Sequence, residues 1–201
     1  MRRCLDVLVS ATALAVTAPL LALIAVTIRL DSRGPALLRQ ERVGLDREVF
    51  TMYKFRSMRV GVDDGLHRRQ IEAELRGEDT SVSGSWKIDD DPRVTRVGRV
   101  LRRLSLDELP QLINVLRGDM TLVGPRPCLP WEAAMFPARF ELRFSVRPGL
   151  TGLWQVRGRS RLGTLDMLGL DVDYVRTRAL RRDLAILFAT VPSMLRGDGA
   201  R

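Results

Sequence analysis

The sequence is poor in several residue types on which common chemistries depend. Histidine occurs once in 201 residues, as His67, and cysteine twice, as Cys4 and Cys128. A Ser-His-Asp or Cys-His catalytic group would have to be built on His67, which lies in a polar stretch where a solvated surface position is the simpler reading. Two cysteines make neither a disulfide framework nor a metal-ligand spacing, which suits a reducing compartment. Aromatic residues are 5% of the chain, and none falls between Trp86 and Trp131, where arginine is dense. Without a stacking platform or a reading helix, a nucleic-acid partner is not expected. Lysine is scarce as well: only Lys54 and Lys87 among 33 basic residues, a bias that a GC-rich genome also produces. Internal repeats and low-complexity runs are absent, which removes solenoid and array architectures.

What is present is a chain long enough for one domain with a real core, carrying a formal net charge of +9. That charge favours an anionic partner, such as anionic lipid or a phosphorylated substrate. Val7 to Ile28 is an uncharged apolar run of 22 residues, VLVSATALAVTAPLLALIAVTI, long enough to enter lipid as a helix. It is too long for a signal-peptide core, and no clear small-residue cleavage site follows it. Two features disfavour a straight span. Pro19 sits mid-segment, and positive charge flanks both ends: Arg2 and Arg3 before, Arg29, Arg33, Arg39 and Arg42 after. Positive residues keep to the cytoplasmic side, so both ends are drawn there. A break at Pro19 leaves arms of about 15–18 Å, short of a hydrocarbon core of about 30 Å. The expectation is therefore a re-entrant membrane hairpin over residues 1–29 broken at Pro19, with the Thr17 hydroxyl helping the carbonyl that proline frees.

Residues 30–201 read as one continuous cytoplasmic domain. EVFTMYKF alternates as a strand and belongs to a strand pair, with a Gly-Leu-Asp turn signal before it. LHRRQIEAEL reads as a short helix inside a polar stretch, 61–86. In RVTRVGRVLRRLS, Val94, Val97, Leu101 and Leu104 form a helical stripe with arginines on the other faces, fit for an anionic membrane surface, a phosphate site or plain solvent. LPQLINVL continues helically, RGDM stops it, and TLVGPRP runs as a strand into a rigid loop. RPGLTGLWQVRGRS reads as turn, short strand, turn, and the last third holds two apolar helical patches, of which RRDLAILFATV is a second candidate for membrane contact. Asp89-Asp90-Asp91 reads as a solvated turn before Pro92 in preference to a metal site.

The chemistry centres on SLDELPQL, residues 105–112. Ser105 and Glu108 match a capping box, and Pro110 is acceptable in a first helical turn. Capping leaves Asp107 unexplained. An aspartate at a helix start is held ionised and shares a site that attracts phosphate. With arginines to offset the repulsion and a metal on Glu108, it has the setting for nucleophilic attack on phosphorus through an acyl-phosphate, which requires no histidine.

KFRSMR (54–59), DPRVTRVGRVLRRLSLDELPQLINVLRGDMTLVGPRP (91–127), RPGLTGLWQVRGRS (147–160) and the ending LDVDYVR…DLAILFATVPSMLRGDGAR together resemble the bacterial polyprenyl-phosphate phosphoglycosyl transferases, the monotopic sugar-phosphate transferases that begin glycan assembly. The resemblance covers most of the chain, with 61–88 the poorest match. It implies an α+β fold, predominantly helical, with an N-terminal re-entrant helix-break-helix, short strands and membrane-surface amphipathic helices. It implies that Asp107 attacks the sugar-linked phosphorus of a UDP-sugar and releases UMP, and that undecaprenyl phosphate then takes the sugar phosphate from the enzyme. It further implies Mg²⁺ held with the help of Glu108, and phosphate binding by Lys54, Arg102, Arg126 and Arg159. Arg56 and Arg147 are weaker candidates, either of which can serve to brace a loop. The implied location is the bacterial inner membrane, catalytic domain on the cytoplasmic face, with membrane lipid as a partner and a homodimer allowed. TGLWQV resembles relatives using UDP-glucose or UDP-galactose. One departure stands out: the family often breaks its hairpin at Ser-Pro, where this chain has Ala18-Pro19. Two other functions compete: a non-catalytic membrane scaffold, in which Asp107→Asn would be silent, and a glycosyltransferase releasing UDP.

Overall fold

The computed structural model describes residues 2–59, 65–81, 93–158 and 161–195. The fold is α+β and mostly helical. It opens with one long helix, α1 (Arg2–Asp31), followed by an antiparallel hairpin of β1 (Leu37–Val43) and β2 (Val49–Phe55). The register pairs Leu38 with Lys54 and Val43 with Val49. The hairpin turns through Gly44–Arg47, where Asp46 and Arg47 both take positive φ, so the Gly-Leu-Asp signal marks the reversal. Helices α2 (Gly65–Leu75), α3 (Arg96–Arg103) and α4 (Gln111–Arg117) come next, the last two joined by a single 3₁₀ turn, Leu106–Glu108. Gly118, at φ 95°, ends α4; this left-handed conformation is one that glycine adopts without strain.

Strand β3 (Thr121–Val123) pairs in parallel with β4 (Gly149–Thr151). Between them lie α5 (Pro130–Met135) and a 3₁₀ segment, Ala138–Ser145; after them come α6 (Leu153–Arg157), α7 (Thr164–Arg176) and α8 (Leu180–Leu195). LWQVR is thus helical where the sequence reads as short strand and turn; Gly152, extended just before it, lets the backbone lie close on Gly124, since a Cβ there would lie 2.5 Å from the Gly124 carbonyl oxygen. The main core joins Met52, Leu112, Val115, Met120, Leu122, Leu153, Tyr174 and Ile186 from β2, α4, the strand pair and the last three helices. Val115 and Met120 are fully buried, each contributing about 1.5–3 kcal/mol by leaving water. A second cluster sets Ile24 and Ile28 of α1 against Ala36, Phe55 and Leu101.

The expected break at Pro19 is corrected: α1 runs as a single helix with Pro19 inside it. The Thr17 hydroxyl bonds Ala13 O (2.6 Å), and so is committed to a carbonyl two residues ahead of that of Ala15, whose donor is the one proline removes. Packing accounts for the continuity. Asp6, Ser10, Ala13, Leu14, Thr17, Leu21, Ile24 and Ile28 are buried or half-buried at helical spacing on both sides of Pro19, with Ala13 and Leu14 on the main core and Leu21 and Ile24 on the second. Polar contacts fix both ends. Arg2 pairs with Asp183 of α8 (2.7 Å), Arg3 donates to Leu116 O (2.7 Å), and Asp6 accepts from the Thr121 hydroxyl (2.8 Å) and Leu122 N–H (3.0 Å). At the other end the buried Arg56 guanidinium donates to the carbonyls of Ser32 (2.6 Å) and Arg33 (2.8 Å), satisfying orphan acceptors past the end of α1. The opposite face of α1, with Leu8, Val16, Leu23, Val26 and Leu30, is exposed. By length and composition α1 is able to cross a membrane.

Candidate active site

The stretch that sequence reading centres on is a turn with no helix start. Ser105 adopts the left-handed conformation (φ 54°, ψ 22°) and its side chain makes no cap hydrogen bond. The capping box is therefore corrected: an N-cap serine needs extended backbone to aim its hydroxyl at the following N–H groups, and this one lacks it. The 3₁₀ turn that follows sends three consecutive side chains to three places. Leu106 packs on the cluster of Phe55 and Leu101. Asp107 Oδ2 meets Lys54 Nζ at 2.8 Å, and Glu108 Oε1 accepts from Arg126 Nη1 at 3.0 Å.

Each partner arrives on an element that the fold positions. Lys54 is the penultimate residue of β2, and β2 is stitched to α4 by the buried Asn114. Its Oδ1 accepts from Tyr53 N–H (3.0 Å), and its Nδ2 donates to Thr51 O (2.7 Å) and Asp119 Oδ2 (3.0 Å). Arg126 rides on GPRP, whose start is pressed against β4. A Cβ at Gly149 would lie 2.0 Å from Gly124 N, so only glycine permits this approach. Gly149 N–H then bonds Pro125 O (2.8 Å). From below, Arg143 Nη2 donates to Arg126 O (2.7 Å) while pairing with Asp171 Oδ2 (2.9 Å). Burial pushes the Asp171 carboxyl up to about 6 in spite of Arg143 beside it.

Electrostatically the centre holds two acids and two bases. Asp107 is 3% exposed and Lys54 25%; Glu108 is 19% exposed and Arg126 38%. The cations are the accessible members, so an arriving anion meets them first. Glu108 beside it holds the Arg126 guanidinium above its ordinary value. Arg42, at the end of β1, is a third cation close by: burial first, and the field of Arg126 with it, lower its guanidinium from the ordinary value, and it donates to Pro127 O (3.3 Å) and Gln40 Oε1 (2.7 Å). It also lies 3.9 Å from Glu132. Burial opposes ionisation of Glu132, yet the hydrogen bonds from His67 and Leu129 N–H hold its carboxyl below the ordinary range. His67, read as a solvated residue, is half-exposed but pairs with Glu132 (3.1 Å) and meets the Trp131 ring edge-on.

Four residues expected in the site, Lys54, Asp107, Glu108 and Arg126, are thus brought together. Arg102 lies in the last turn of α3 and is tied to the turn through its carbonyl, which accepts from Ser105 N–H (3.1 Å); among the described residues its side chain forms no hydrogen bond or ion pair. Arg159 and Asp89–Asp91 lie outside the described residues. Arg147 is exposed. Arg56 is a brace for α1. Sequence reading missed Asn114, Arg143 and Asp171. The first carries a legible signal, a lone polar residue in the apolar run LINVL, since a buried amide must be satisfied. Among the described residues, no three His, Cys, Asp or Glu side chains are grouped to hold a metal. Mg²⁺ fits only where substrate oxygens supply the remaining ligands beside Glu108.

Two adjacent carboxylates, each matched to a cation, under a partly exposed basic rim can bind a phosphate-bearing substrate and offer one carboxylate to phosphorus. A family model described as bacterial sugar transferase matches residues 1–197. The UDP-glucose:undecaprenyl-phosphate glucose-1-phosphate transferase of Caulobacter vibrioides is 46% identical over 99% of this chain and 71% of its own length. The undecaprenyl-phosphate galactose phosphotransferase of Salmonella typhimurium is 39% identical over 100% of this chain and 41% of its own. The exopolysaccharide production protein ExoY of Sinorhizobium fredii is 36% identical over 99% of this chain and 87% of its own.

Proposed function

The chain belongs to the bacterial sugar transferase family, and from that premise we propose that it moves a sugar-1-phosphate from a UDP-sugar to undecaprenyl phosphate through an enzyme-bound intermediate on Asp107. The observation that carries the reading is the Asp107–Lys54 and Glu108–Arg126 arrangement, two carboxylates delivered side by side by one turn to two cations. An Asp107 carboxylate oxygen attacks the sugar-linked phosphorus, and the bond from that phosphorus to the bridging diphosphate oxygen breaks. UMP leaves with the electron pair. A phosphate oxygen of undecaprenyl phosphate then attacks the same phosphorus, and the Asp107 carboxylate departs, giving the polyprenyl-diphosphate sugar. Asp107 is almost covered, so the first step requires Lys54 to exchange its carboxylate for the incoming phosphate, one anion for another. Arg126 and Arg42 then offset charge on the diphosphate, and Arg102 and Arg159 are proposed as further phosphate contacts. Mg²⁺ is the proposed cofactor; held by Glu108 with phosphate oxygens, it would neutralise phosphate charge.

Location belongs to the same proposal. Both ends of α1 are bonded to the one domain, which supports a helix that meets the inner membrane through its exposed face and leaves both ends on the cytoplasmic side. The apolar residues Leu184, Phe188 and Val191 of α8, exposed one turn apart, support a second membrane contact. A hexose donor, glucose or galactose, is favoured by the names of the relatives, and exopolysaccharide assembly by another.

The test is nucleotide release by the detergent-purified full chain given a panel of UDP-sugars, Mg²⁺ and undecaprenyl phosphate. UMP from one donor, lost in Asp107→Asn, is expected. UDP release, or UMP release that survives the substitution, defeats the mechanism.

A further inference from the structure

The 3₁₀ turn Leu106–Glu108 runs into α4 without a change of hand. Leu109 and Pro110 both hold right-handed helical conformation, and their carbonyls accept from Leu112 N–H and Ile113 N–H (3.1 Å each). Asp107, Pro110, Gln111, Asn114 and Val115 are buried at the intervals that place side chains on one helical face. Three residues of that stripe are polar. Two are fastened to β2: Asp107 by the Lys54 side chain at one end, and Asn114 by Tyr53 N–H and Thr51 O at the other. The third, Gln111, lies between them.

Gln111 is 3% exposed, yet among the described residues its side chain makes no hydrogen bond. A buried amide without a partner lowers stability, and where a fold keeps one, function is the first explanation to test. Unlike Ser10 Oγ or Asp171 Oδ1, this amide is not sealed off, so a ligand can reach it.

Its position says which part of a ligand. Gln111 is four residues from Asp107 and three from Glu108, spacings that hold Cβ atoms about 5–6 Å apart on a helix. A phosphoryl group on Asp107 therefore brings its remaining oxygens within reach of a glutamine side chain. An amide also suits the step. It donates to phosphoryl oxygens without changing the local charge, which Lys54 and Arg126 already balance. Because no protein group competes for it, the donor needs no reorganisation as charge gathers on those oxygens.

We infer that the Gln111 amide nitrogen donates a hydrogen bond to a non-bridging oxygen of the phosphoryl group while that group moves onto and off Asp107. The inference rests on the function proposed above and adds a residue to its transfer step. Gln111 keeps its protons throughout, and no covalent bond to it forms or breaks.

The test compares the full wild-type chain with Gln111→Met, which keeps length and volume but has no donor, and Gln111→Glu, which keeps the shape and sets a negative charge beside the phosphate. UMP release is timed at saturating UDP-sugar, and unfolding is followed in denaturant. Gln111→Met is expected to release UMP about 10²-fold more slowly, the scale of losing one preorganised donor, with KM for the UDP-sugar little changed. Its unfolding midpoint is expected to equal or exceed that of wild type, since no hydrogen bond within the protein is lost. Gln111→Glu is expected to be slower still. A wild-type rate in Gln111→Met makes the amide a bystander, and a lower midpoint makes it a support of the fold; either overturns the inference. Direct contact is read with a UDP-sugar carrying sulfur for one non-bridging oxygen on the sugar-linked phosphorus, since sulfur is a weak acceptor. One of the two diastereomers is expected to slow wild type more than it slows Gln111→Met. Equal slowing of both proteins by each diastereomer overturns the contact. Failure of the proposed function is separately visible, as absence of UMP from every UDP-sugar with the wild-type chain.

Discussion

Two kinds of ion pair meet at Arg126. Beneath it, Arg143 and Asp171 are sealed from water, 5% and 3% exposed. Above it, Lys54–Asp107 and Arg126–Glu108 each keep a cation at the surface. The chemistry of the pairs is the same, and the difference in access separates their tasks. A buried pair is costly to form and more costly to break, because either partner alone is a charge without solvent or mate. It therefore makes a fixed post, and Arg143 uses its second bond to hold the Arg126 carbonyl. A pair with an accessible cation is held weakly enough to be exchanged. That is what a site needs if phosphate is to replace carboxylate.

The sharpest way to break the comparison is to remove one charged partner from each region. Asp107→Asn is expected to lower UMP release by at least about 10⁴-fold, the scale of losing a nucleophile, while thermal unfolding stays within about 1 kcal/mol of wild type. Arg143→Met is expected to do the reverse. It leaves Asp171 buried and unmatched, costing about 3–5 kcal/mol in unfolding free energy, and the protein that remains folded at low temperature keeps the donor specificity of wild type. If Asp107→Asn instead unfolds the protein, or Arg143→Met leaves its midpoint unmoved, the division between post and site is wrong.

A pH titration sharpens the same contrast at smaller scale. Asp171 is raised from 3.8 to about 6 on folding, because burial outweighs the attraction of Arg143. Between those values the folded chain binds a proton that the unfolded chain has released, so this group's contribution to stability falls as pH rises from about 4 to about 6. The total is at most about 3 kcal/mol. Asp171→Asn is expected to remove that slope. Unfolding midpoints of the two proteins, compared from pH 4 to 7, check it; parallel curves would mean that Asp171 is ionised as readily folded as unfolded.

The site was more legible than its supports. Lys54 lies in one of the matching sequence blocks and Asp107, Glu108 and Arg126 in another, and the resemblance named them; the fold joins these two blocks and the one at 147–160 through one hairpin, one 3₁₀ turn and one glycine-spaced strand pair. The hairpin, the helix over 65–75 and the strand before GPRP follow from period and turn residues. Arg143 and Asp171 did not stand out, since a charged residue in ELRFS or LDVDY looks like one solvated side chain among many until tertiary packing encloses it. Pro19 misled in the opposite direction. A local rule says that proline breaks a helix, yet packing along both halves of α1 holds it whole. LWQVR misled for a similar reason: Gly149 and Gly152 pack their backbone on Gly124 just ahead of α6, a relation that sequence order hides.

The smallest effect concerns how the site half of the comparison is held, by a backbone turn where the buried half has an ion pair. Ser105 carries a positive φ without a cap bond to reward it. A non-glycine residue in that conformation costs about 1–2 kcal/mol, part of which glycine returns through its wider freedom in the unfolded chain. Ser105→Gly is therefore expected to leave stability unchanged or raise it by up to about 1 kcal/mol, and Ser105→Ala to match wild type within about 0.5 kcal/mol. A capping serine would behave otherwise, with alanine losing about 1 kcal/mol and glycine a few tenths. The pair of substitutions, read by denaturant midpoint, thus tells a cap from a strained turn. If alanine is the costly one, Asp107 and Glu108 are presented by a helix start after all, and the helix dipole returns as a force on Asp107.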